Sequence, residues 1–130
     1  RAVHRVAFGR PLASLGGNRD VIANCRMAID QARLLTLKAA WALDRHGVFA
    51  ALTDISAIKI YVPNAYTRVV DRAIQIWGAA GVSNDLPLWG MYQGARTLRI
   101  ADGPDEVHKI LIAKNVLGQY AKGDGWDFGN

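Results

Sequence analysis

The sequence predicts an all-α fold: an antiparallel up-and-down bundle of about four helices, with residues 1–130 forming a single domain. Three observations carry this expectation. Apolar residues recur at three- and four-residue intervals along two long stretches, and no segment of any length alternates with the two-residue period of a strand. Glycine or proline falls where each helical pattern stops, and short connections of that kind make consecutive helices antiparallel neighbours.

Arg1 to Phe8 read as the end of a preceding helix. The first long helix is expected from about Asn18 to Arg45, with Val21, Cys25, Ala28, Ala32, Leu35, Ala39 and Ala42 as its apolar stripe. Asn18 offers a capping side chain after Gly16-Gly17, and His46-Gly47 ends the helix because glycine accepts the left-handed conformation common just past a C-terminus. A second long helix is expected from about Thr53 or Asp54 to Trp77, with Ile55, Ile58, Val62, Ala65, Val69, Ala73 and Ile76 facing the core. Pro63 removes one backbone hydrogen bond, but the stripe keeps its phase across it, which predicts one kinked helix. Gly78 and Gly81 stop it. A shorter helix over about Pro87 to Arg99 is weakened by Gly90 and Gly94. The last runs from near Pro104 to about Tyr120 and turns Val107, Ile110, Leu111 and Leu117 inward. The tail from Gly123 to Asn130 reads as irregular, or ordered only against a neighbour on which Trp126 docks.

Half the residues are apolar and a fifth charged, as in a folded globular chain. Eleven arginines and five lysines outweigh ten aspartates and one glutamate, for a net charge of +5. The basic residues are scattered from Arg1 to Lys122 without a dense block, so nucleic acid is not an expected partner, whereas a phosphate-bearing cofactor suits the charge. No apolar stretch is long enough to span a bilayer. The opening Arg-Ala-Val-His-Arg carries neither an initiator Met nor a signal leader, and is expected to be a cut through a longer protein. Cys25 stands alone, which excludes an internal disulfide and suggests a buried inert thiol in an intracellular protein. No histidine or carboxylate cluster has metal-ligand spacing, so no metal is expected.

Asp102 is the candidate with the most chemistry. It precedes Gly103-Pro104 at a loop-to-helix junction, where local pattern alone favours a helix cap over a catalytic base. The base reading needs the carboxylate to project into an apolar cleft. Glu106, the sole glutamate, suits the positive helix end, or could accept hydrogen bonds from ribose or adenine groups; His108 reads as a polar helix residue. Gln75-x-x-Gly78-x-x-Gly81 is first a helix stop and only weakly a phosphate signal, since a helix rather than a strand precedes it. Arg5-x-x-Phe8-Gly9 says little by itself.

The combination is far more specific. Arg5-Val6-Ala7-Phe8-Gly9-Arg10-Pro11-Leu12, Gln75-Ile76-Trp77-Gly78-Ala79-Ala80-Gly81 and Arg96-Thr97-Leu98-Arg99-Ile100-Ala101-Asp102-Gly103-Pro104-Asp105-Glu106, in that order, resemble the C-terminal helical domain of the acyl-CoA dehydrogenases. The resemblance covers essentially the whole chain. The Ala-Asp-Gly-Pro-Asp-Glu-Val-His form resembles the branch whose eukaryotic members are fused to a phosphotransferase-like domain. It implies a flavoenzyme that abstracts the α-proton of an acyl-CoA thioester while the β-hydride passes to FAD. By resemblance Asp102 is the catalytic base, with its N–H helping to polarise the thioester carbonyl, and Gly103 lies beside the thioester. Arg5 and Phe8 match the segment that reaches the FAD of a neighbouring subunit; Gln75, Gly78 and Ala79 match the contact with its ADP half, and Glu106 a position near the adenosine. The resemblance further implies a homodimer or homotetramer, an electron-transfer flavoprotein or similar acceptor, and a bacterial cytoplasmic, mitochondrial or peroxisomal setting.

This chain departs from the family pattern at several positions. Asp102 is one methylene shorter than the common Glu, Pro104 replaces a common Thr, and Ala79 replaces a frequent second Gly. The family's Gln just past the Phe-Gly pair has no match around Gly16-Gly17-Asn18. These changes motivate a rival reading, a non-catalytic helical oligomerisation module derived from the same fold.

Overall fold

The computed structural model describes residues 1–123; the expected irregular tail and Trp126 docking lie outside them, save Gly123 itself. The chain opens on a small hairpin rather than on the end of a helix. Strands β1 (Val6–Ala7) and β2 (Arg10–Pro11) pair antiparallel, with Val6 opposite Pro11 and Ala7 opposite Arg10. Phe8 and Gly9 form the tip at φ 51° and 75°. Two successive positive φ values are what a two-residue hairpin turn needs, and glycine supplies the second without strain. A 3₁₀ turn (Leu12–Ser14) leads into the first long helix. Asn18 does not cap that helix: its amide donates back to the Leu12 carbonyl at 2.6 Å, and Gly17 stands at the cap.

One residue organises the rest. Helix α1 (Asn18–Trp77) leaves helical backbone angles only at Gly47, with φ 79° and ψ 173°. Contacts straddle that glycine almost symmetrically. Lys38 meets Asp54 at 3.0 Å, and the Tyr61 hydroxyl donates to Gln31 Oε1. Residues 18–46 and 48–77 are therefore two arms of an antiparallel hairpin with Gly47 at its apex. The expected stop at His46-Gly47 is present. The expected connection to Thr53 is not, because Val48 to Leu52 already wind as helix and Ala51 is fully buried. The second arm runs unbroken through buried Pro63, as one helix should, with the sharp bend left to Gly47.

Helix α2 (Leu88–Thr97) and helix α3 (Asp105–Ala121) pack on α1 and, with its two arms, make four helical rods among the described residues. The buried core is small-residue rich: Ala28, Ala39 and Ala42 of the first arm, Ala51, Ala65 and Val70 of the second, and Ala95 of α2. Alanine loses no rotamer freedom on burial and lets helix backbones approach closely. Ala28, Ala39, Ala42 and Ala65 come from the predicted stripes, whereas Ala51, Val70 and Ala95 do not; Cys25 is only half-buried, in the cleft between the arms beside Arg68 and Asp71.

The stripe of α3 points the other way from expectation. Val107, Ile110 and Leu117 are 55%, 69% and 67% exposed, and only Leu111 is partly covered. The face that meets α1 is polar: Asp105 bonds Asn64, His108 bonds Ser56, and Asn115 bonds Thr53. Periodicity located an apolar stripe correctly, but hydrogen bonds set which face turns inward.

After α1 a 3₁₀ turn (Gly78–Val82) reverses the chain. Gly78 ends the helix at φ 67°, and Gly81 packs so tightly that an added Cβ would stand 2.7 Å from the Ile74 carbonyl oxygen. The opposing atoms are backbone and cannot swing aside. Gly81→Ala should therefore destabilise the protein by about 1–3 kcal/mol, the usual cost of overpacking; denaturant unfolding measures it, and wild-type stability would contradict the close packing. Among the described residues no helix is long and apolar enough to cross a membrane, and no group of His, Cys, Asp and Glu could hold a metal.

Candidate functional site

The loop from α2 to α3 carries the leading candidate. The α2 helix winds down through turns in which the Ile100 and Ala101 amides donate to the Thr97 carbonyl at 2.9 and 3.0 Å. Asp102 and Gly103 then adopt φ 54° and 95° in succession. A left-handed conformation costs an ordinary L-residue about 1–2 kcal/mol, less for Asp than for most. The chain turns here so tightly that α3 begins at Asp105, with Pro104 at its cap and no side-chain cap bond. The local expectation that Asp102 caps the helix is thus overturned. Among the described residues its exposed carboxylate takes part in no hydrogen bond or ion pair.

Two fastenings hold the loop closed. Arg99 and Asp105 grip each other twice: the Asp105 amide donates to the Arg99 carbonyl at 3.3 Å, and Arg99 Nε donates to Asp105 Oδ2 at 2.9 Å. Asn64 of α1 adds a bond to the same oxygen at 3.0 Å, while the buried Oδ1 has no hydrogen-bond partner among the described residues. Burial pushes the Asp105 carboxyl upward, but Asn64, the Arg99 guanidinium and the Lys109 charge outweigh it and hold the group below the usual carboxylate value. The second fastening comes from the middle of α1. Lys59 Nζ donates to the carbonyls of Leu98 and Gly103, and His108 lies between Ser56 and the Asp102 carbonyl.

The other sequence-predicted residues gather elsewhere. The antiparallel arms place both ends of α1 at the end of the molecule opposite Gly47. The Arg1 guanidinium sits 5.2 Å from the centroid of the Trp77 ring and ties the N-terminal hairpin to that end. Arg5, Phe8, Gln75, Gly78 and Ala79 are therefore neighbours in the broad sense, all exposed, with Phe8 94% so at its strained tip. Asp102 and Gly103 lie far along the second arm from them: α1 from Lys59 to Gln75 is about 24 Å long at the helical rise per residue. Glu106 belongs with Asp102, exposed in the first turn of α3 and 4.0 Å from Lys109. The predicted set thus falls into two groups on the chain.

Lys59, Asn64, Ser56, Arg99, Asp105 and His108 were not picked out as site residues by the sequence. For Lys59 a signal existed: a single cation between Ile58 and Ile60 within an otherwise apolar helical run. For His108 and Asp105 it did not, because the α1 partners that fix them, Ser56 and Asn64, lie more than forty positions away.

The family model for "Acyl-CoA dehydrogenase, C-terminal domain" matches residues 1–117. FadE2 of Mycobacterium tuberculosis, assigned as a probable acyl-CoA dehydrogenase, is 51% identical over 119 residues, covering 92% of this chain and 29% of that protein. Acyl-CoA dehydrogenase family member 11 of Rattus norvegicus is 51% identical over 122 residues, covering 94% of this chain and 16% of that protein. Among solved structures, an FAD complex of PigA superposes with a TM-score of 0.83 at 25% identity, covering 92% of this chain and 30% of that one. The chain spans less than a third of the length of each of these proteins.

Proposed function

The chain belongs to the acyl-CoA dehydrogenase family, and from that premise we propose that it serves as the C-terminal helical domain of an FAD-dependent enzyme that dehydrogenates an acyl-CoA thioester between Cα and Cβ. Asp102 is the base that takes the α-proton. Its N–H donates to the thioester carbonyl and stabilises the charge that develops there. Gly103, lacking a side chain, leaves room for the thioester. The observation that supports this most is the state of the Asp102 carboxylate, which is exposed and uncommitted on a loop fastened at both ends.

FAD, when bound, supplies the acceptor for the β-hydride. The donor set suits it. Arg5 presents planar donors for a pyrophosphate, Gln75 an amide and the Gly78-Ala79 turn its backbone, while Phe8 offers a flat apolar ring. The separation of these residues from Asp102 and Glu106 fits the two groups serving different FAD molecules in a homodimer or homotetramer. The exposed apolar stripe of α3 is consistent with further covering by other parts of such an assembly. An electron-transfer flavoprotein or similar carrier would collect the electrons.

The test is the full-length protein. It should purify with flavin absorbance, and anaerobic addition of acyl-CoA thioesters should bleach it. A colourless protein, or one that no straight or branched acyl-CoA bleaches, would leave the helical oligomerisation module as the better reading. The 130-residue chain alone should show no turnover, because it carries Asp102 and one part of each cofactor contact.

A further inference from the structure

In the proposed reaction Asp102 must aim a short carboxylate at one carbon, yet among the described residues the groups that hold this part of the loop bond its backbone. Lys59 Nζ donates to Leu98 O at 2.6 Å and to Gly103 O at 3.1 Å, so one ammonium joins carbonyls on both sides of Asp102. The carbonyl of Asp102 itself lies 3.2 Å from His108 Nε2, and His108 Nδ1 lies 3.2 Å from Ser56 Oγ. A carbonyl only accepts, so Nε2 donates to it, while Nδ1 pairs with the Ser56 hydroxyl, which can donate or accept. Ser56 is 2% exposed, which anchors the chain of bonds in the bundle. There is no slack beside it: a Cβ on Gly103 would stand 3.0 Å from His108 Nε2. Lys59 directly, and Ser56 one turn away on α1 through His108, thus hold three carbonyls of the loop, those of Leu98, Asp102 and Gly103.

We propose that Lys59 is the positioning residue of the α-proton transfer, acting with the Ser56–His108 relay to lock the backbone of Asp102 in its left-handed conformation so that the carboxylate faces the substrate. Lys59 touches no reacting atom in this scheme. The inference rests on Asp102 being the base. It also answers how a side chain one methylene shorter than the family's Glu is used: its range of motion is removed at the backbone.

Anaerobic stopped-flow reduction of the flavin by acyl-CoA in the full-length protein separates the two ideas, using Lys59→Met, Lys59→Gln and Asp102→Asn. Lys59→Met should lower the limiting rate constant about 100-fold, the usual consequence of a displaced catalytic group, with little change in the substrate concentration for half-maximal rate. Lys59→Gln keeps an uncharged, shorter donor group and should lose about tenfold. In both, the isotope effect with α-deuterated substrate should rise, which a merely structural role would not cause. The rate constant is read per bound flavin, so partial flavin loss does not distort it. If Asp102→Asn is inactive while both Lys59 variants keep the wild-type rate and isotope effect, the positioning role is wrong and the base stands. If Asp102→Asn reduces flavin normally, the base itself is wrong and the inference falls with it. Complete loss of flavin from both Lys59 variants would make Lys59 a stability residue and overturn the proposal as well.

Discussion

Asp102→Asn in the full-length protein should slow flavin reduction by acyl-CoA about 10³-fold, within the range attributed to a positioned general base. The substitution is informative because of the backbone. Asn is as tolerant of a left-handed φ as Asp, so the residue at φ 54° keeps its conformation and the Lys59 and His108 contacts, which go to main-chain carbonyls, are undisturbed. What disappears is the ability to accept a proton. Flavin content and unfolding midpoint should therefore match the wild type, and a rate that also matched it would remove Asp102 from the chemistry.

The second large effect falls on stability. Asp105 is 2% exposed and shares one oxygen between Arg99 and Asn64. Asp105→Asn leaves the guanidinium facing a neutral amide. Breaking a buried ion pair costs about 3–5 kcal/mol, and because the Arg99 side chain reaches solvent the expected loss is nearer about 2–3 kcal/mol. The sign of the pH dependence follows from the lowered carboxyl value. Folding favours the charged form, so the wild-type contribution is complete above the unfolded-state value of about 3.9 and drains away as pH falls from there through the lower folded value. Denaturant unfolding of wild type and Asp105→Asn at neutral pH and near pH 3 checks this. The gap between them should narrow in acid; a constant gap would mean that packing, not charge, accounts for the loss.

Much of the fold was legible because it depends on local pattern. The stripe through Ala28, Ala39 and Ala42 and its continuation at Ala65 fixed two long helices, and the glycines at 47 and 78 stopped or bent the chain where a positive φ was needed. The N-terminal hairpin was missed because two-residue strands are too short to show a period. The facing of α3 was missed for a different reason. Its inward side is chosen by Asn64, Ser56 and Thr53, more than forty residues away in sequence, and hydrogen bonds of that kind leave no periodicity. The candidate site divides in the same manner. The residues that would touch cofactor and substrate sit in short contiguous motifs and were readable together, whereas the groups that hold the Asp102 loop are dispersed over α1 and α3. Asp102 itself was locally better explained as a cap, and only the geometry, with α3 starting past Pro104 and uncapped by any side chain, releases its carboxylate from that task.

The most direct test isolates proton removal from oxidation. A 3,3-dimethylacyl-CoA has α-hydrogens but no β-hydrogen, so it can lose a proton to the base without reducing the flavin. With an analogue of this type whose binding is registered by a perturbed flavin spectrum, the full-length wild type in D₂O should exchange its α-hydrogens for deuterium, and Asp102→Asn should not. Exchange at equal rates in the two proteins, or none in the wild type, would contradict the assignment of Asp102 as the base that starts the reaction.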